Sequence, residues 1–228
     1  IGVNTDKRTG NEQDFQMPTI CPVCGAPAIR EEGESATYCT GIECPAKALK
    51  TIAHFASKEA MDINGLGIKI VEQLLEKSLI QNIADIYELK LKDVSSLKKN
   101  GGKFASNLIE AINESKTKDL SNLITGFGIR HVGRKLAKTL AKRYKNIDEL
   151  MKVDVEELSS KDNIGTIIAA SIVEFFSEEQ TIDLINKLKT NGVNMSYIEE
   201  GTSDDRFEGQ TFVLTGSLEK YSRDEASA

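Results

Sequence analysis

Four glycines, Gly67, Gly101, Gly133 and Gly165, recur 34, 32 and 32 residues apart, and this period constrains the fold more than any other feature. Each sits in a short polar or glycine-bearing turn followed by a helix-forming run: INGLGIKIVEQL, KKNGGKFASNL, IRHVGRKLAKTL and DNIGTIIAASI. Self-similarity at such a period marks a repeated supersecondary unit. Apolar residues around the turns are spaced by three and four, as in Ile70, Val71, Leu74, Leu75 and Leu136, Ala137, Leu140, Ala141, which is the period of one helix face. Residues 51–198 are therefore predicted to be mainly α, built from four helix–hairpin–helix units. At 39% hydrophobic and 28% charged residues the chain can build real cores, which excludes a wholly disordered protein. No apolar run approaches the roughly 20 residues of a membrane span, and no signal peptide is visible.

A Gly-hydrophobic-Gly turn before a helix has a definite chemistry. Glycine lets the backbone turn sharply and approach a ligand closely. The first N–H groups of the next helix lack internal partners, and the helix dipole adds partial positive charge. Together they hold an anion such as a phosphate. The alternative is that each glycine simply caps a helix C-terminus in an all-α bundle. The first hairpin, Gly65-Leu66-Gly67 followed by Lys69, is complete. The second, Lys99-Asn100-Gly101 followed by Gly102 and Lys103, lacks the first glycine and the apolar plug, and is expected to be weak or structural. The third is His131-Val132-Gly133, preceded by Arg130 and followed by Arg134 and Lys135. The fourth, Asn163-Ile164-Gly165, is followed by Thr166 with no adjacent base, so only its backbone amides could serve. Leu66, Val132 and Ile164 are expected to plug their turns into the core. Asp62 reads as a helix cap, and His54, within an apolar run, as a core or capping histidine.

Charge qualifies this picture. The chain has 29 Lys+Arg against 35 Asp+Glu, a net −6 that argues against a nucleic-acid partner. The average conceals its distribution. From Ser121 to Ile147 there are seven bases (Arg130, Arg134, Lys135, Lys138, Lys142, Arg143, Lys145) and no acid. From Glu174 to Glu208 nine acids face three bases, an excess of six that equals the whole net charge. Arg134, Lys138, Lys142 and Lys145 recur at helical spacing and are expected along one face. A solvated basic face is the plain reading; a hairpin opening that helix favours phosphate contact.

Cys21, Cys24, Cys39 and Cys44, the only cysteines, form C-x2-C-x14-C-x4-C within residues 18–50. Four thiolates in two close pairs suit tetrahedral Zn²⁺ and leave no open position for catalysis. Pro22 and Gly25 permit the tight knuckle that aims two sulfurs at one ion. Disulfides, free thiols and an iron–sulfur cluster are the other options. With no charged or aromatic fingertip on a helix, the module is expected to order the chain rather than read bases. The remaining segments are polar residues 1–17, a solvated stretch at 199–206, and residues 207–228, where Thr211–Leu214 reads as a buried strand. No Walker loop or Ser/His/Asp arrangement can be argued, and two histidines leave few general bases.

These motifs are similar to a known family. FQMPTICPVCG, YCTGIECPAKAL and HFASKEAMDINGLGIKIVEQL within Phe15–Leu74, LITGFGIRHVGRKLAKTLA at Leu123–Ala141, and FEGQTFVLTGSLEKYSRDEA at Phe207–Ala226 resemble the C-terminal half of bacterial NAD-dependent DNA ligases. The resemblance implies the edge of an OB-fold domain at 1–17, a four-cysteine zinc finger at 18–50, a helix–hairpin–helix domain at 51–198, a linker at 199–206 and a truncated BRCT start at 207–228. It implies a DNA-binding region of an enzyme that seals nicks in duplex DNA during replication and repair. The family adenylates the lysine of a K-x-D-G motif from NAD⁺, and that motif is missing from this sequence. The piece is thus expected to be an inactive interior slice, beginning at Ile1 rather than Met. Its NAD⁺ and Mg²⁺ would be bound only in the parent enzyme. Expected partners are nicked duplex and the remaining ligase domains, for a monomer in the bacterial cytoplasm. A non-enzymatic repair scaffold sharing the same hairpins is the alternative.

Overall fold

A computed structural model of the chain describes residues 10, 16–30, 35–39, 44–98, 101–161 and 164–199. Two compact units separate, Ile1–Tyr197 and Ile198–Ala228. Of the second, only Ile198 and Glu199 are described. The expected BRCT start, all of the linker except Glu199, and most of the expected OB-fold edge therefore lie outside the described residues.

The first unit opens with a small cysteine-bearing module. The Cys21 N–H donates to Ala26 O at 2.7 Å and the Gly25 N–H to Cys21 O at 3.0 Å, closing a knuckle. Gly25 turns it at φ 74°, in the left-handed region that glycine enters without steric cost. Two short antiparallel strands follow, β1 (Ala28–Ile29) and β2 (Tyr38–Cys39), with Ala28 opposite Cys39 and Ile29 opposite Tyr38. The chain then enters α1 (Pro45–Phe55), whose N-cap is Cys44 and whose first residue is a proline, preset for that position. A cysteine of the cluster is thus the first anchor of the helical region, and α1 runs across position 50 without a break.

The described helices continue as α2 (Ile68–Glu76), a 3₁₀ turn at Asp85–Glu88, α3 (Leu91–Ser95), α4 (Gly102–Ser115), α5 (Leu120–Phe127), α6 (Arg134–Tyr144), α7 (Ile147–Leu150), α8 (Val155–Lys161), α9 (Thr166–Ser177) and α10 (Glu179–Thr190). They pair in sequence, α1 with α2, α3 with α4, α5 with α6 and α8 with α9, so each glycine turn leads into the second helix of a pair. One contiguous apolar core runs from Ile52 to Met195. Phe55, Met61, Leu74, Leu108, Leu123 and Leu140 are among its fully buried members, each contributing about 1.5–3 kcal/mol of transfer free energy. The spacing read from the sequence holds: α6 buries Ala137, Leu140 and Ala141 and exposes Arg134, Lys135, Lys138 and Lys142, with Arg143 half-buried.

Two contacts lock the pairs together. α1 crosses α5, where a Cβ on Gly126 would fall 2.8 Å from Phe55 Cδ2. The segment after α10 stitches the domain shut. Asn194 N–H donates to Lys116 O at 2.8 Å, Ile147 N–H to Met195 O at 3.0 Å, and Tyr197 N–H to Lys145 O at 2.8 Å.

Three expectations are corrected here. Lys145 does not continue the basic face of α6. It is the helix C-cap, left-handed at φ 61°, with its ammonium 4.4 Å from the Tyr197 ring centroid. Asp62 caps no helix; at φ 51° it turns the chain before the first hairpin and pairs with Lys118 at 3.4 Å. Of the two readings of His54, core or capping, the core one fails: the side chain is exposed, and its Nε2 donates to Thr125 O at 2.9 Å in the last turn of α5, as a cap does.

Candidate nucleic-acid interface and metal centre

The four cysteine sulfurs lie within 4.8 Å of one another. Cys24 and Cys39 Sγ are 3.4 Å apart, and Cys21 and Cys44 Sγ 4.0 Å apart. A tetrahedron with Zn–S bonds of about 2.3 Å has edges of about 3.8 Å, so the set fits one Zn²⁺. All four cysteines are free, which sets aside the disulfide option. Cys21 and Cys44 are buried. Backbone N–H groups of Cys24 and then Val23 favour the Cys21 thiolate and hold its thiol down to about 6. At Cys24 the Ala26 N–H also favours the thiolate. The neighbouring sulfurs, Cys39 first, and burial outweigh it and push the thiol up to about 12. Thiolates this close repel one another, and a dication relieves that repulsion. The donor set, saturated with sulfur, makes the zinc structural.

The hairpins are built alike at the first and third positions. In the first, Leu66 N–H donates to Ile63 O at 3.1 Å across Asn64 and Gly65, and Gly65 has φ 89°. In the third, Val132 N–H donates to Ile129 O at 3.0 Å across Arg130 and His131. His131 takes the left-handed place at φ 64°, and Arg130 takes the exposed position before it. The plugs Leu66, Val132 and Ile164 are all buried, as expected from their spacing. Gly67, Gly133 and Gly165 are the N-caps of α2, α6 and α9, not helix C-caps.

No side chain caps those three helices. Other described helix starts divide: those of α1, α4 and α10 also lack a side-chain cap. Asp119 and Asn146 carry side-chain caps for α5 and α7, and the Asp154 carboxylate accepts the Glu157 N–H at the start of α8. A Cβ on Gly67, Gly133 or Gly165 would meet nothing within 4 Å, so the approach to each helix start is open. Lys69 on α2 and Lys135 on α6 occupy the second position of their helices and are exposed, as is Arg134 at the first position of α6. Bases there oppose the helix dipole by about 0.3–1 kcal/mol each unless an anion sits between. Lys138 and Lys142 extend the Arg134 row along α6 and are exposed.

The second hairpin differs, as its sequence foretold. Gly101 is buried, and a Cβ there would fall 2.7 Å from Ser95 O and 2.9 Å from Lys98 O. Its glycine serves the close approach of α3 to α4. Gly102 and Lys103 are exposed in the first turn of α4. Lys99, Asn100 and Asn163 lie outside the described residues. In the fourth hairpin Gly165 and Thr166 are exposed, and the second helical position is Ile167, 73% exposed.

The sequence reading missed one residue at this surface. Tyr38, beside Cys39 on β2, places its ring under the Arg130 guanidinium, 5.5 Å from carbon to centroid. Its signal in the sequence is an aromatic residue next to the third cysteine.

The class defined by this geometry is a four-cysteine zinc module fused to tandem helix–hairpin–helix units. Comparison with known proteins agrees. Residues 21–46 match the NAD-dependent DNA ligase C4 zinc finger domain, residues 57–114 a SAM-like helix-hairpin-helix tandem, and residues 122–185 a helix-hairpin-helix motif. The chain is 49% identical over 227 residues to the DNA ligase of Thermoanaerobacter sp. (strain X514), covering 100% of this chain and 34% of that protein. It is 50% identical over 226 residues to the DNA ligase of Caldicellulosiruptor saccharolyticus, with 99% and 33% covered. Against the DNA ligase of Bacillus subtilis (strain 168) it is 42% identical over 233 residues, with 100% and 35% covered. The chain thus resembles DNA ligases along its whole length and spans about a third of the length of these relatives. Among the described residues no helix is long and apolar enough to cross a membrane.

Proposed function

We propose that this chain is the DNA-gripping region of a bacterial NAD-dependent DNA ligase, holding nicked duplex by its phosphate backbone without reading sequence. The observation that carries this reading is the set of three glycine-started helices without side-chain caps and with open approaches, two of them bearing bases where the dipole disfavours them. Phosphates satisfy both the amides and the bases. Gly65, Leu66, Gly67 and Lys69 form the first contact, and Arg130 to Lys135 with Lys138 and Lys142 the largest. Asn163, Gly165 and Thr166 form one through backbone amides. Gly101 serves mainly to pack the second hairpin, while the exposed Gly102 and Lys103 at the start of α4 form a weak contact. The zinc module sets the geometry between the helical domain and the other ligase domains, which supply adenylation, NAD⁺ and Mg²⁺ in the bacterial cytoplasm. The ligase-type zinc finger weighs against a repair scaffold that merely shares hairpins.

Titrating duplex affinity against salt tests the mechanism. Phosphate contacts release counterions, so log K should fall steeply and linearly with log salt, by about 0.9 per contact. Arg134→Ala with Lys138→Ala should make that slope shallower by about 2 and weaken all duplex sequences equally. A flat salt response would overturn the backbone-grip reading.

A further inference from the structure

We propose that Tyr38 of the zinc module is a positioning residue for Arg130, holding its guanidinium at the tip of the third hairpin for a duplex phosphate. The inference rests on the DNA-grip reading and adds to it a residue from outside the hairpins.

Arg130 occupies the exposed second position of the Ile129–Val132 turn, one residue before His131. Tyr38 belongs to another element, β2, where it lies opposite Ile29 and next to Cys39. The two meet with the guanidinium carbon 5.5 Å from the ring centroid, within the range of a cation–π contact. Tyr38 remains 50% exposed, so its ring serves as a surface platform and not as core.

The chemistry of the two groups makes the contact useful to a phosphate. A guanidinium stacks through its planar face and donates hydrogen bonds through its edges. The contact with Tyr38 engages the planar face, and the paired bonds a phosphate accepts are made by the edges. It also removes, before binding, side-chain freedom that a long arginine otherwise loses when it meets its ligand. The platform is held in turn by the metal: Tyr38 directly precedes Cys39, one of the four sulfurs. Zinc therefore fixes the strand on which the arginine rests, and the zinc module enters the grip through one ring.

The test is a double-mutant cycle on the 228-residue chain, reading duplex affinity and zinc content together. Tyr38→Ala should weaken duplex binding about two- to fivefold, the span of an exposed cation–π contact, with zinc content unchanged. Tyr38→Phe keeps the ring face and should bind like the original chain. In an Arg130→Ala background Tyr38→Ala should add nothing, whereas beside Lys138→Ala it should keep its full effect. If Tyr38→Ala disturbs zinc content, Tyr38→Leu keeps the bulk without the π face and should show the same loss. The proposal is overturned if Tyr38→Ala and Tyr38→Leu bind normally. It is overturned equally if the loss persists without Arg130, or if Tyr38→Phe is as weak as Tyr38→Ala. Failure of the DNA-grip reading would look different: the unaltered chain itself would then show no salt-dependent duplex binding.

Discussion

His131 stands where the first hairpin uses glycine, with φ 64° against 89° at Gly65. A left-handed conformation costs an ordinary L-residue about 1–2 kcal/mol, while glycine loses about 0.5–1 kcal/mol more backbone entropy on folding. His131→Gly is therefore expected to stabilise the chain by about 0.5–1 kcal/mol, seen as a raised thermal midpoint, while duplex binding weakens through loss of the imidazole. A lower midpoint would show that the histidine side chain supports the fold instead. The place of His131 in the turn was legible from its register with Gly65, but its backbone conformation was not. The same divide runs through other single residues. Lys145 has the right spacing for the α6 face, yet the helix ends at Tyr144 and the lysine folds over Tyr197. Spacing alone cannot report where a helix stops. Tyr38 was hidden because its partner Arg130 lies 92 positions away in the sequence.

Among elements, the helices were legible because each buries one face, and the hairpins because their glycines repeat. The jobs of individual glycines were not legible. Gly67, Gly133 and Gly165 face open space, whereas Gly101 faces the carbonyls of Ser95 and Lys98. Only the tertiary approach of α3 to α4 distinguishes them, and periodicity carries no information about it. Gly126 is the sharpest case: it lies inside α5, where intrinsic propensity favours alanine by about 1 kcal/mol. A methyl group there would press on Phe55, which is fully buried and has no room to yield. Gly126→Ala is thus expected to destabilise by about 1–3 kcal/mol through overpacking of the α1–α5 crossing, measured as a lower urea midpoint. Gly102→Ala, at the open first position of α4, should leave the midpoint unchanged or raise it. Equal effects at the two sites would mean that the crossing tolerates the methyl and that propensity alone decides.

For the whole molecule, net charge was the most misleading sequence quantity. A −6 total coexists with a local run of seven bases, and only their distribution bears on an anionic partner. The core has an ionisable keystone of its own that composition could not reveal. Tyr87, in the 3₁₀ turn, packs edge-on to Phe55 of α1, with centroids 6.2 Å apart, and its hydroxyl lies 3.2 Å from the buried Ser115 Oγ on α4. It therefore joins the first two hairpin pairs. Burial pushes its phenol from 10.0 up to about 12, with the Ser115 hydrogen bond opposing only part of that shift. The folded chain thus holds this proton more tightly than the unfolded one. Below pH about 10 both states keep the proton and the group gives no pH dependence; between about 10 and 12 the unfolded state releases it first, and stability falls. The loss across that window is about 3 kcal/mol for two pKa units. Tyr87→Phe should be slightly less stable at neutral pH, by about 0.5–1.5 kcal/mol for the lost hydrogen bond. It should also lack this part of the alkaline decline. The measurement is the urea unfolding free energy of both chains across the window, with tyrosinate absorbance recorded in parallel. Parallel curves would place the alkaline sensitivity elsewhere in the molecule and leave Tyr87 as packing alone.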